Sequence, residues 1–157
     1  MVALIHYYSS IIHRNDKREA RMSATEYSLE IQPRFTEIDG LGHINNTVIP
    51  VWCETARAPI FEIFNPELDL HQWNLIVAGF TVAFIAPTYY GKNVTIKTYV
   101  SRIGNSSFEL TQSCWQAGNK TAEVKTTLVH YDYSCEKSRP IPEDIREILA
   151  NLSGESA

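Results

Sequence analysis

Phe35-Thr36-Glu37-Ile38-Asp39-Gly40-Leu41-Gly42-His43-Ile44-Asn45-Asn46 is the stretch on which the reading of this chain turns. It places a carboxylate and an imidazole four residues apart on a glycine-rich loop, and a loop of that kind lets backbone approach a ligand closely. A helical pattern follows. Between residues 47 and 64, Ile49, Trp52, Ala56, Ile60 and Phe64 recur at spacings of three and four, with Ile63 adjacent, and set one apolar stripe. Glu54, Arg57 and Glu62 fall off that stripe, and Asn45 or Asn46 is the expected N-cap. Pro50 fits the first turn, whereas Pro59 should kink or divide the helix. The start of a helix offers unpaired N–H groups and a partial positive charge. A base or nucleophile beside such a donor is the pair that acyl transfer needs. By itself, an aspartate or histidine here is more often a turn or packing residue than a catalyst.

Upstream, Tyr27, Leu29 and Ile31 alternate as in a strand. Downstream, Asn65-Pro66-Glu67 marks a loop, and Leu75 to Ala86 is nearly all apolar or small, as in a strand covered on both faces. Pro87 to Lys92 reads as a turn, and Val94 to Val100 alternates cleanly. Gly104-Asn105-Ser106 turns into Phe108 to Gln116, and Gly118-Asn119 is a hairpin signal leading to Ala122 to Tyr133. Ile141-Pro142-Glu143-Asp144 opens a terminal helix with early acidic residues. A strand, a long helix and four strands in hairpin succession make an α+β class with an antiparallel sheet.

Composition sets the outer limits. A chain of 157 residues with 44% hydrophobic and 20% charged residues suits one domain with a true core. Net charge −4 argues against a nucleic-acid binder, and no apolar run reaches the roughly 18 residues that span a bilayer. Cys53, Cys114 and Cys135 are odd in number and widely spaced, which suits reduced thiols and a cytoplasmic location. The five histidines have no metal-ligand spacing, so neither metal nor cofactor is expected. Residues 1–21 read as an extension, an over-long start or an added helix with no assigned function. Their apolar part precedes the basic part, the wrong order for a secretory signal, and Asp16 and Glu19 do not suit a mitochondrial presequence. Met22-Ser23-Ala24 reads as an alternative start, which leaves 22–157 as the domain.

Asp39-Gly-Leu-Gly-His43-Ile-Asn45-Asn46 followed by Trp52-Cys-Glu54-Thr-Ala-Arg57 resembles a family signature, Asp-x-x-Gly-His-Val-Asn-Asn, then an aromatic, Glu and Arg on a helix. The family is the 4-hydroxybenzoyl-CoA thioesterase-like branch of the hotdog superfamily. Ile85-Ala-Pro87-Thr-Tyr-Tyr-Gly91 is similar to its proline turn, and Arg102-Ile103-Gly104-Asn105-Ser106-Ser107-Phe108 to its hairpin. The resemblance covers roughly residues 27–135, in the expected order. It implies a hotdog fold, an antiparallel sheet wrapped around a long central helix, in subunits that pair as a homodimer or homotetramer. The activity it implies is acyl-CoA thioesterase, acting on acyl thioesters of CoA or acyl carrier protein, with no nucleic acid and no membrane as partner. By position Asp39 would be the catalytic carboxylate, as general base on water or as nucleophile, and the backbone N–H near Asn46 the oxyanion donor.

In related acyl carrier protein thioesterases an Asp-x-Asn-x-His run supplies three catalytic groups; here Leu41 replaces the asparagine. That departure makes His43 a residue that positions substrate or Asp39 first, and a proton carrier second. Gly42, Ile44, Asn45 and Glu54 complete the expected substrate-binding set, Glu54 by supporting the loop or pairing with a basic residue. Cys53, with no histidine placed to activate it, is not expected to be a nucleophile. Two alternatives share the fold. A 2-enoyl-CoA hydratase would carry Asp-x-Asn-Pro-x-His, with a longer gap than is found here. A non-catalytic acyl-CoA-binding hotdog domain would not need Asp39.

Overall fold

A computed structural model of the chain describes residues 21–23 and 26–154. The expected extension lies outside the described residues except for Arg21, which opens the first strand. Seven strands form one antiparallel sheet: β1 (Arg21–Ser23), β2 (Glu26–Ile31), β3 (Leu75–Phe84), β4 (Val94–Ile103), β5 (Ser107–Gln116), β6 (Asn119–Asp132) and β7 (Lys137–Ser138). Their order is β1-β2-β4-β5-β6-β3, with β7 added to the far end of β6. Three helices complete the fold: α1 (Val48–Thr55), α2 (Ala58–Phe64) and α3 (Glu143–Asn151).

The alternation read in the sequence is the alternation observed. Val94, Ile96, Thr98 and Val100 of β4 are buried, as are Phe108, Leu110, Gln112 and Cys114 of β5. The turn between β5 and β6 is Ala117-Gly118, one residue earlier than Gly118-Asn119, and joins Gln116 to its partner Asn119. Both turn residues have positive φ, 51° and 81°, the conformation that matches the twist of a two-residue hairpin.

Two expectations are corrected. The single long helix over 47–64 is two short ones. Pro59 has no N–H to offer the Thr55 carbonyl and its ring crowds that carbonyl, so α1 stops at Thr55. The chain turns at Ala56 and Arg57 and restarts as α2 with proline in its first turn, where proline fits. Arg57, expected off the stripe, is drawn inside by that turn and is buried. The second correction concerns β3. Among the described residues it pairs on one side only and ends the sheet, and Phe80 and Phe84 are 55% and 54% exposed while only Leu75 is buried. A continuous apolar run signals cover on both faces, and the described residues do not supply it.

The core divides into two apolar clusters. Trp52 and Cys53 of α1, with Ala56 just beyond it, pack with Ile44, Val94, Ile96, Cys114 and Val124; Ile60 and Phe64 of α2 pack with Val100, Phe108, Leu110, Leu128 and Leu149. Phe64 stacks on Phe108 with ring centroids 5.3 Å apart. Burying a ring such as Phe108 stabilises the fold by about 2–3 kcal/mol. Between the clusters lie the buried polar residues Arg57, Thr98, Gln112 and Thr126.

Candidate active site

The Asp39 loop is fastened from within. Asp39 N–H donates to the His43 carbonyl (2.8 Å), Gly42 N–H donates to the Asp39 carbonyl (3.1 Å), and Ile38 and Ile44 form a bridge. Gly42 sits at φ 83°, a left-handed conformation that glycine adopts without strain. The Asp39 Oδ1 accepts the N–H of Leu41 (2.8 Å) and of His43 (3.2 Å). Both bonds fall on one oxygen, and Oδ2 takes no hydrogen bond among the described residues. One oxygen of the carboxylate therefore shapes the loop, and the other is left without a hydrogen bond among the described residues.

Outer contacts seat the loop. Ile44 N–H donates to the Thr88 carbonyl (2.8 Å), which joins it to the 87–92 turn. That turn is gripped by buried Gln116, whose Oε1 accepts Tyr89 N–H (2.9 Å) and whose Nε2 donates to the carbonyls of Tyr89 and Lys92. The His43 ring lies edge-to-face on Tyr89, with centroids 5.2 Å apart. Its backbone N–H, not its imidazole, is the group that reaches Asp39.

Asn45 is half-buried and lies three residues before the helix. Its Oδ1 accepts the Thr47 N–H (2.9 Å) and hydroxyl (2.7 Å), and its carbonyl accepts Val48 N–H (2.9 Å). The N-cap position itself is Thr47, with no side-chain cap bond. Asn46, between these satisfied residues, is exposed, and its N–H has no hydrogen-bond partner among the described residues. Among the described residues, a carboxylate oxygen and an N–H without hydrogen-bond partners thus stand at the two ends of one short loop.

The remaining expected residues are placed differently. Gly42 is exposed at the loop tip and Ile44 is buried, anchoring the loop in the core. Glu54 is exposed on α1 and makes no hydrogen bond to the loop among the described residues; its charge bears on Arg57. Burial pulls the Arg57 guanidinium below the usual arginine value, and the Glu54 carboxylate opposes that shift. Cys53 is wholly buried with its Sγ 3.8 Å from that of Cys114. The hydrogen bond to Cys114, followed by burial, pushes its thiol up, the opposite of nucleophile activation. Among the described residues no three His, Cys, Asp or Glu side chains converge as a metal set.

Glu37 was not singled out by the sequence. Its Oε1 accepts the Trp52 indole N–H (3.2 Å), its Oε2 accepts Arg34 N–H (2.7 Å), and its carbonyl accepts Asn45 N–H (2.8 Å). One residue thus ties the loop to α1 and to both of the loop's flanks. The signal in the sequence was an acid three residues after Arg34, which closes a 3₁₀ turn much as a capping box does.

Known proteins share this architecture. The chain is 34% identical to a Bacillus stearothermophilus protein described as a predicted thioesterase, with TM-score 0.82 over 85% of this chain and 100% of that one. A Thermus thermophilus thioesterase, solved with coenzyme A and Zn, is 28% identical with TM-score 0.69, over 76% of this chain and 94% of that one. A chloroplastic acyl-acyl carrier protein thioesterase of Arabidopsis thaliana is 24% identical over 80% of this chain and 69% of its own length. The curled antiparallel sheet with its helices is an α+β hotdog fold. The model of the thioesterase-like superfamily matches residues 33–149, and the chain belongs to that superfamily.

Proposed function

We propose that this protein hydrolyses acyl thioesters, of CoA or of acyl carrier protein, to the free acid and the carrier thiol. The observation that carries the reading is one fastened loop that holds both an Asp39 Oδ2 and an Asn46 N–H without a hydrogen-bond partner among the described residues. A thioester is already activated, so a carboxylate and an oriented donor are a sufficient minimum. Asp39 acts as general base on water or as nucleophile on the thioester carbon. The Asn46 N–H receives the oxygen on which negative charge develops, a contribution of about 10²–10³ in rate for one such donor. His43, held against Tyr89 rather than against the carboxylate, positions the substrate.

Both carriers have support among the relatives, one solved with coenzyme A and one named for acyl carrier protein. The working unit is a homodimer or homotetramer. A ten-residue apolar edge strand with exposed Ile76, Val77, Phe80 and Phe84 favours pairing with a second chain. A panel of short, long and aromatic acyl-CoAs and acyl-acyl carrier proteins, followed by thiol release, tests the reading. Turnover of one class is expected. Inactivity across the whole panel, with binding retained, would replace the enzyme by an acyl-CoA-binding domain.

A further inference from the structure

At the break between α1 and α2 the buried Cys53 carbonyl loses its helical partner. In an unbroken helix the Arg57 N–H would bond to the Cys53 carbonyl; here it bonds to the Glu54 carbonyl instead, at 3.1 Å. Two side chains take its place. Arg57 Nε donates to the Cys53 carbonyl at 3.2 Å and Gln112 Nε2 donates to it at 2.8 Å. Gln112 comes from the centre of β5 and is wholly buried, while Arg57 is 6% exposed. The second Gln112 hydrogen goes to the Thr98 hydroxyl at 3.1 Å, so β4 is joined as well.

Burying a guanidinium and an amide in an apolar core is costly, and a charge left without a partner costs several kcal/mol. The cost is not fully offset. Arg57 Nη1 and Gln112 Oε1 find no partner among the described residues, and no carboxylate there lies within ion-pair distance of Arg57. A leucine or methionine at each position would fill the space at lower cost. What the polar pair supplies is a fixed point. The carbonyl it grips belongs to the residue after Trp52, whose indole holds Glu37, whose own carbonyl holds Asn45 beside the free Asn46 N–H.

We infer that Arg57 and Gln112 are positioning residues for the reaction proposed above, fixing α1 so that the turn leading into it presents the Asn46 N–H to the reacting oxygen. The inference rests on that reading for its kinetic consequence. A donor that meets the transition state more strongly than the ground state affects kcat more than KM. A displacement of the order of 1 Å at such a site costs about 10²-fold.

The test uses the full chain with the best substrate of the panel, and pairs kcat and KM with thermal melting and amide exchange over residues 45–55. Gln112→Met keeps the volume and removes the donor. It is expected to lower kcat about 10- to 100-fold with little change in KM, and to speed exchange in that segment. Arg57→Lys keeps a donor within reach of the Cys53 carbonyl and should retain far more kcat than Arg57→Met. Thr98→Val, a milder change should the others not fold, loosens Gln112 and should lower kcat about two- to fivefold. A folded Gln112→Met with wild-type kcat, a loss confined to KM, or equal losses in Arg57→Lys and Arg57→Met would overturn the inference. Should the wild type hydrolyse no thioester, the functional reading falls by itself. The exchange measurement then decides whether the clamp holds the segment, and unchanged exchange in Gln112→Met would end the inference too.

Discussion

Replacing Asp39 by asparagine separates the two jobs of one carboxylate. Its Oδ1 accepts Leu41 N–H at 2.8 Å and His43 N–H at 3.2 Å, and an amide oxygen in that place accepts both. The loop therefore survives in Asp39→Asn, with two charge-assisted bonds turned into neutral ones. Each loses about 1 kcal/mol at most, so the expected cost is about 1–2 kcal/mol and a fall in Tm of about 3–8 °C. A domain with the usual 5–15 kcal/mol of stability stays folded at 25 °C after such a loss. Oδ2, in contrast, becomes an NH₂ group that can neither take a proton from water nor attack a carbonyl. Removal of a general base costs about 10²–10⁴ in rate, or about 2.7–5.4 kcal/mol of barrier.

The assay follows thiol release with a chromogenic disulfide, alongside calorimetry on the same preparations. Asp39→Asn should melt within a few degrees of wild type yet lose at least a hundredfold in kcat/KM, the low end of that range. His43→Ala removes an edge-to-face contact with Tyr89 and should lose less than about tenfold, below the range for a proton carrier. Near-wild-type turnover in Asp39→Asn would refute the assignment. So would a His43→Ala loss equal to that of Asp39→Asn, which would make the imidazole a partner in the chemistry.

Three further outcomes are expected. Phe80→Lys places a charge on the exposed edge of β3 and should shift the protein toward monomer in sedimentation; an unchanged mass would show that subunits associate elsewhere. Thr126→Val deletes a buried hydroxyl without a partner among the described residues and should leave stability unchanged or raise it by up to about 1 kcal/mol. A clear fall in Tm would mean that the hydroxyl is bonded. The hydroxyl of Ser134 and then its N–H hold the Asp132 carboxyl down to about 2, from an ordinary 3.8, with Arg139 adding to the effect. A depressed carboxyl stabilises above its unfolded value and loses that contribution as pH falls through its folded value. Any advantage of wild type over Asp132→Asn should thus be complete above about pH 4 and fade toward pH 2. A titration by NMR with a midpoint near 4 would contradict this.

Legibility in the sequence followed the range of the interactions. Strand β4 was readable because alternation is local and each inward residue meets the buried interior. The loop was readable because Gly42 and Asn45 do their work within a few residues. Position α2 was misjudged for a different reason: Pro59 announced a break, but not that Arg57 would turn inward at it. Gln112 was not singled out in the sequence: it stands between Leu110 and Cys114 on β5, and its target, a carbonyl 59 residues away in sequence, was beyond any local pattern. The continuous apolar run of β3 was read as a strand covered on both faces, and among the described residues it is mostly exposed. Whether that cover comes from the same chain is a matter of topology, which periodicity does not contain. Glu37 was missed because its partner Trp52 is 15 residues away.

The buried polar residues between the two apolar clusters also bear on how the strands find their places. Ten, ten and fourteen residues long, β4, β5 and β6 present similar alternating faces. A slip of one residue would turn every side chain over and is excluded by the pleat. A slip of two keeps the faces right, and an all-apolar inner surface would tolerate it well. With Gln112 paired opposite Thr98, such a slip would carry an amide into an apolar layer and strip the Cys53 carbonyl of a donor. Each unmet group would cost about 1–3 kcal/mol. The polar interruption of the core therefore acts as an index mark along the sheet, distinguishing one alignment of these strands from its near neighbours.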